Sequence, residues 1–124
     1  MKKQTVTRKQ IIEYVEKCIG EVENHYGPSK HQQTFPYIFL SKDIIDDIKG
    51  EYCYMFNEIT IYYRNIESLE ELIRTVIHEY QHYLQSPSWM TRYYRMGYDY
   101  LNHPYEVAAY NEEENWEVIW KQAS

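Results

Sequence analysis

Residues 78–82 read His-Glu-Tyr-Gln-His, and the string lies inside the strongest helical pattern of the chain. Leu69, Leu72, Ile73, Val76, Ile77, Tyr80, Tyr83 and Leu84 recur with helical period and form one apolar stripe. The stripe commits the segment to helix and one helix face to a core. Ser68, with Glu71 three residues on, reads as a capping box at its start. Ser86-Pro87 marks its end, because the residue before proline is pushed out of helical geometry. On the helical wheel His78 and His82 lie opposite the centre of the stripe, with Glu71, Thr75 and Gln85. They are therefore not core histidines, and they face either the surface or a cleft.

Two histidines four residues apart project from one face of a helix, where both imidazoles reach one zinc ion at about 2.0–2.1 Å. A Glu beside the first of them can take a proton from a zinc-bound water. The expected roles are His78 and His82 as metal ligands and Glu79 as general base. The plainer alternative is a solvated His pair on a polar face. A catalytic zinc needs a third protein ligand and leaves its fourth position to water. The longer pattern H-E-x-x-H-x-x-G-x-x-H is absent, since Gln85 stands in the Gly position and Ser88 in the third His position. Three later residues compete for the role: Asp99, His103 and Glu106. The segment from Asn102 to Tyr110 reads as a helix start, with Pro104 in the first turn and Asn102 or His103 as cap. Glu106 then sits in that first turn, where a carboxylate is also favoured simply by the helix dipole.

The strings HEYQH at 78–82 and NHPYEVAAY at 102–110 resemble the gluzincin metallopeptidases, especially their small single-domain members, the minigluzincins. The resemblance covers roughly residues 58–112, and its first motif is much more specific than its second. It implies that Glu106, the first Glu of an N-P-x-E-x-E-A-like string, is the third zinc ligand. It also implies a zincin-like fold in which the strand before the metal helix, here around Ile59 to Tyr63, borders the cleft and pairs with substrate. Two positions depart from the pattern. His103 is inserted between Asn102 and Pro104, which keeps Asp99 and His103 in competition. Ala108 replaces the second Glu, which takes away a side chain expected to support a ligand.

A chain of 124 residues buries one core, and nothing divides it, so residues 1–124 are expected to form a single domain, which the resemblance implies is a zincin-like metallopeptidase domain. The net charge is −6, from 19 acidic and 13 basic residues, so a basic nucleic-acid footprint is missing. Charged residues interrupt positions 1–26, no signal-peptide run exists, and no stretch approaches a membrane span. Cys18 and Cys53 are not in a C-x-x-C pair and read as free buried thiols in a reducing compartment. The expected setting is cytoplasmic, without nucleic acid or membrane, and the expected state a monomer.

Thr7 and Gln10 offer a capping box for a first helix through Ile11, Ile12, Val15, Ile19 and Val22, stopping near Gly27-Pro28. Residues 34–40 read as a strand with Pro36 at an edge or end. Ser41 to Lys49 reads as a short helix closed by Gly50. Residues 51–56 and 58–64 read as strands joined by a tight turn near Asn57. Residues 88–101 are aromatic-rich and ambiguous, and a last helix runs from Pro104 to about Lys121. The fold class is therefore α+β: a short, mostly antiparallel sheet with an N-terminal helix, an HExxH helix and a C-terminal helix.

The expected function is zinc-dependent hydrolysis of a peptide or protein substrate, with Glu79 moving the proton. Tyr94, Tyr98 and Tyr105 are candidates to stabilise the oxyanion. The alternative is a zinc-bound regulatory or binding module without turnover, and a third class is an interaction protein in which the motif is accidental.

Overall fold

A computed structural model describes residues 7–88, 92, 95–97 and 103–123. Helix α1 spans Arg8–Tyr26. Thr7 caps it: its side chain accepts from the Gln10 amide while the Gln10 side chain accepts from the Thr7 amide, which satisfies two of the otherwise orphaned donors. Gly27, at φ 78°, ends it. Ile11, Val15, Cys18 and Val22 are buried along one stripe.

Strands β1 (Tyr37–Ser41), β2 (Gly50–Cys53) and β3 (Glu58–Tyr62) form a sheet in the order β1-β3-β2. β3 runs parallel to β1, with Ile38 opposite Ile59, and antiparallel to β2, with Tyr52 opposite Ile59. The sheet is thus mixed rather than mostly antiparallel. β1 begins directly after Pro36 and lies at an edge, as a proline there requires. The β2–β3 turn closes on Asn57 at φ 49°, whose side-chain amide donates to the Thr34 and Phe35 carbonyls.

Residues 42–49 are not the expected helix. Ile44, Ile45 and Ile48 find no core and stay exposed. Hydrogen bonds from elsewhere hold this loop instead. The Asn65 side chain donates to the Asp46 and Ile48 carbonyls, and the Tyr62 amide donates to the Lys49 carbonyl. Gly50, read as a helix stop, is the first residue of β2 and is needed for close packing. A Cβ there would lie 2.6 Å from Thr75 Cγ2 and 3.2 Å from Glu79 Cγ.

After a 3₁₀ turn at Tyr63–Asn65, helix α2 spans Leu69–Leu84. Ser68 accepts from the Glu71 amide, and Gln85 caps the other end just before Ser86-Pro87. From Leu72 to Tyr83 every residue except Arg74 is buried, so α2 is the central helix. One side joins Ile59 and Ile61 of β3 and the stripe of α1 in the core. Helix α3 (Pro104–Glu112) crosses the histidine side, and a 3₁₀ turn at Glu113–Asn115 leads into α4 (Trp116–Ala123). The last helix is thus broken near its middle and not continuous to Lys121. α4 packs on α1 and buries Ile119. Among the described residues no helix is long and apolar enough to cross a membrane. Both cysteines are free; Cys18 is buried and Cys53 only partly so.

Candidate metal centre

His78 and His82 sit one turn apart on α2, as the i, i+4 spacing dictates. They face a cleft and not open surface, being 7% and 6% exposed. Helix α3 covers them. Pro104 occupies its first turn, and Glu106, 5% exposed, points from that turn to both rings. Glu106 Oε2 lies 2.9 Å from His78 Nε2, and Oε1 lies 2.9 Å from His82 Nε2. These three side chains form a cluster whose ligand atoms all lie within 4.8 Å of one another, close enough to hold one metal ion.

The far side of each ring is pinned. Glu113 Oε2 lies 2.8 Å from His78 Nδ1. A carboxylate only accepts, so Nδ1 donates to Glu113, and Nε2, which faces Glu106, is the atom a metal would take. Gln85 Oε1 lies 2.9 Å from His82 Nδ1, while Gln85 Nε2 donates to the Tyr105 carbonyl. That second bond orients the amide, so its oxygen accepts from His82 and Nε2 again faces Glu106. Tyr105 stacks flat on the His82 ring at 4.2 Å, and Tyr110 meets the His78 ring edge-on at 4.6 Å.

The carboxyls of the site differ sharply. Burial pushes Glu79 up to about 7, although His82 and His78 pull the other way. Burial also opposes charge on Glu106, but the hydrogen bonds from His78 and His82 outweigh it and hold this carboxyl at about 2. For His78 burial is again overcome, here by Glu106 and Glu113, and the imidazole rises to about 10. Environments that drive neighbouring carboxyls apart suit one to bind a cation and the other to exchange protons.

Glu79 lies at the junction of two cavities. One, of about 600 Å³, includes Lys49, Arg74, His78, Tyr110 and Glu113 in its wall. The other, of about 260 Å³, includes Tyr52, Tyr54, His82, Tyr105 and Glu106. Gly50 and Glu79 border both. β2 is the strand beside this cleft, and among the described residues its outer edge has no partner strand. β3, expected to border the cleft, is the middle strand and is paired on both sides.

Of the three candidates for third ligand, Glu106 joins the His pair. His103 does not. It is the N-cap of α3, 1% exposed, and its Nδ1 accepts from the Tyr105 amide. Asp99 lies outside the described residues, as do Asn102, Tyr94 and Tyr98. Three contributors escaped the sequence reading. Glu113 takes the supporting role that Ala108 had left open, and its signal was its position seven residues, or two turns, beyond Glu106. Gln85, which stands where the longer motif has glycine and which the wheel places with the histidines, holds the His82 ring. Tyr110 was passed over, although it lies one turn from Glu106 on the same face. Comparison with known protein families, curated proteins and solved structures gives no match.

Proposed function

We propose that this protein is a zinc-dependent peptidase of gluzincin type, with His78, His82 and Glu106 as metal ligands and Glu79 as general base. The observation that carries the reading is the position of Glu79: a buried carboxyl at the junction of two cavities, beside a His₂Glu donor set with both rings already oriented. A site that held metal for structure alone has no need of that base. The resemblance of HEYQH and NHPYEVAAY to minigluzincins supports the same assignment.

The donor set suits zinc, which takes two imidazoles and a carboxylate in catalytic sites and keeps one position open. Tetrahedral bonds of 2.0–2.1 Å require ligand atoms roughly 3.4 Å apart. One ligand atom from each of His78, His82 and Glu106 already lies within 4.8 Å of the other two. Bound there, zinc supplies the Lewis acidity that lowers the pKa of water to about 7 and polarises the scissile carbonyl. Glu79 takes a proton from water as the water oxygen bonds to the carbonyl carbon. It returns the proton to the amide nitrogen as the C–N bond breaks, leaving a carboxylic acid and an amine. Glu113 and Gln85 hold the two rings through these steps. Tyr110, half-exposed in the same cavity wall as Glu79, is the candidate donor to the oxyanion. A substrate backbone adds to the outer edge of β2, which among the described residues has no partner strand.

Glu79→Gln tests the assignment. The variant should retain one zinc per chain by elemental analysis and lose hydrolysis of a mixed peptide pool that the wild type cuts. Absence of zinc in the wild type after zinc loading sinks the reading. So does a zinc-loaded wild type that cuts no peptide of a broad pool.

A further inference from the structure

The two cavities that meet at Glu79 are chemically unlike. The larger sets Lys49 and Arg74 among Glu71 and Glu113. The smaller carries the rings of Tyr52, Tyr54 and Tyr105 with Pro87 and, among the described residues, neither Lys nor Arg. Its walls are held in place. Tyr105 is stacked on His82, and the Tyr52 hydroxyl donates to Asn57 and accepts from Gln32. At about 260 Å³ it falls below the roughly 300–1,000 Å³ of a small-molecule site. It is the scale of one side chain.

Tyrosine rings also attract cations, so the nearby acids decide what fits. Glu79 and Glu106 belong to the metal centre. Glu51, the third acid of its wall, is in register with Thr60 across the sheet, and its carboxylate is engaged by a hydroxyl hydrogen bond from Tyr62. Among the described residues no further carboxylate borders the cavity. Beyond Tyr54 the apolar character continues along the hairpin tip, where Met55 and Phe56 are 86% and 74% exposed.

We propose that the cavity walled by Tyr52, Tyr54 and Tyr105 selects an aromatic or large aliphatic side chain on one flank of the scissile bond. The inference rests on the peptidase reading above. It follows from continuity: the cavity opens on Glu79 and Glu106, so a peptide carbonyl at the metal centre places a neighbouring side chain in it.

The test uses host peptides of Ala and Ser that differ in one guest residue: Phe, Lys or Asp. Cleavage is measured with the zinc-loaded wild type, and binding by calorimetry with zinc-loaded Glu79→Gln. The Phe peptide should be cut at a bond beside Phe, with kcat/KM about tenfold or more above the other two, and should bind about tenfold tighter. Tyr54→Asp, outside the metal centre, should narrow both gaps. Equal cleavage of the three peptides, or preference for Lys or Asp, overturns the inference and leaves the peptidase standing. Selective binding of the Phe peptide without cleavage by the wild type upholds the pocket and overturns the peptidase. Neither binding nor cleavage overturns both.

Discussion

Glu113→Ala removes the acceptor 2.8 Å from His78 Nδ1 and touches no ligand atom. The imidazole loses both the group that orients it and the carboxylate that raises its basicity. Such outer partners of metal-bound histidines are worth about 10–100-fold in metal affinity, or about 1.4–2.7 kcal/mol. The same quantity is legible in stability. A ligand that binds only the folded state stabilises it by RT ln(1 + [L]/Kd). At a fixed free zinc concentration well above both Kd values, the zinc-dependent stabilisation should fall by the same amount. For 124 residues, at about 3–5 °C per kcal/mol, the melting shift on adding zinc should shrink by about 4–13 °C. Glu113→Gln keeps a carbonyl acceptor and loses only the charge, so it should fall between wild type and alanine. Glu114→Ala is the control, because Glu114 is exposed and, among the described residues, pairs with Arg74 and not with His78. The assay is zinc competition against a chromophoric chelator, with thermal melts taken with and without zinc. If Glu113→Ala binds zinc as the wild type does, the hydrogen bond to His78 has no role in the metal site and the argument fails.

Glu106→Ala should lose zinc, since two histidines alone cannot close the site, whereas His103→Ala should keep zinc and cost about 1 kcal/mol of stability through loss of the α3 cap; the reverse pattern in the same titration and melts refutes the ligand assignment. Gly50→Ala should destabilise by about 1–3 kcal/mol, because its Cβ would meet Thr75 Cγ2 at 2.6 Å. Adding Thr75→Ser, which deletes that methyl group, should recover much of the loss, and strictly additive effects in denaturant melts contradict the packing account. Burial pushes the Cys18 thiol up to about 12, so it stays protonated at pH 8. One thiol, Cys53, should therefore react in the folded protein and both in denaturant, and equal labelling rates under native conditions refute this.

Features that depend on neighbours within a turn or two are legible along the chain. The Thr7–Gln10 capping box, the stop at Gly27, the Ser68 cap and the shared face of His78 and His82 all follow from hydrogen bonds and side-chain spacing that close over three or four residues. Pro104 likewise announced the helix that carries Glu106. Tertiary structure decided the rest. Nothing periodic told whether the histidine face was surface or cleft; α3 crossing over it made that choice. The hydrogen bond between Glu113 and His78 spans 35 residues and exists only because the 3₁₀ turn after α3 meets α2. The middle place of β3, the outer place of β2 and the irregular loop at 42–49 were equally hidden. A strand run specifies its faces but not its partners, and the loop carbonyls of Asp46 and Ile48 found in Asn65 a donor that an isolated helix lacks. Local geometry is set by short-range sterics and capping, whereas pairing between distant segments depends on which surfaces the shared core brings together.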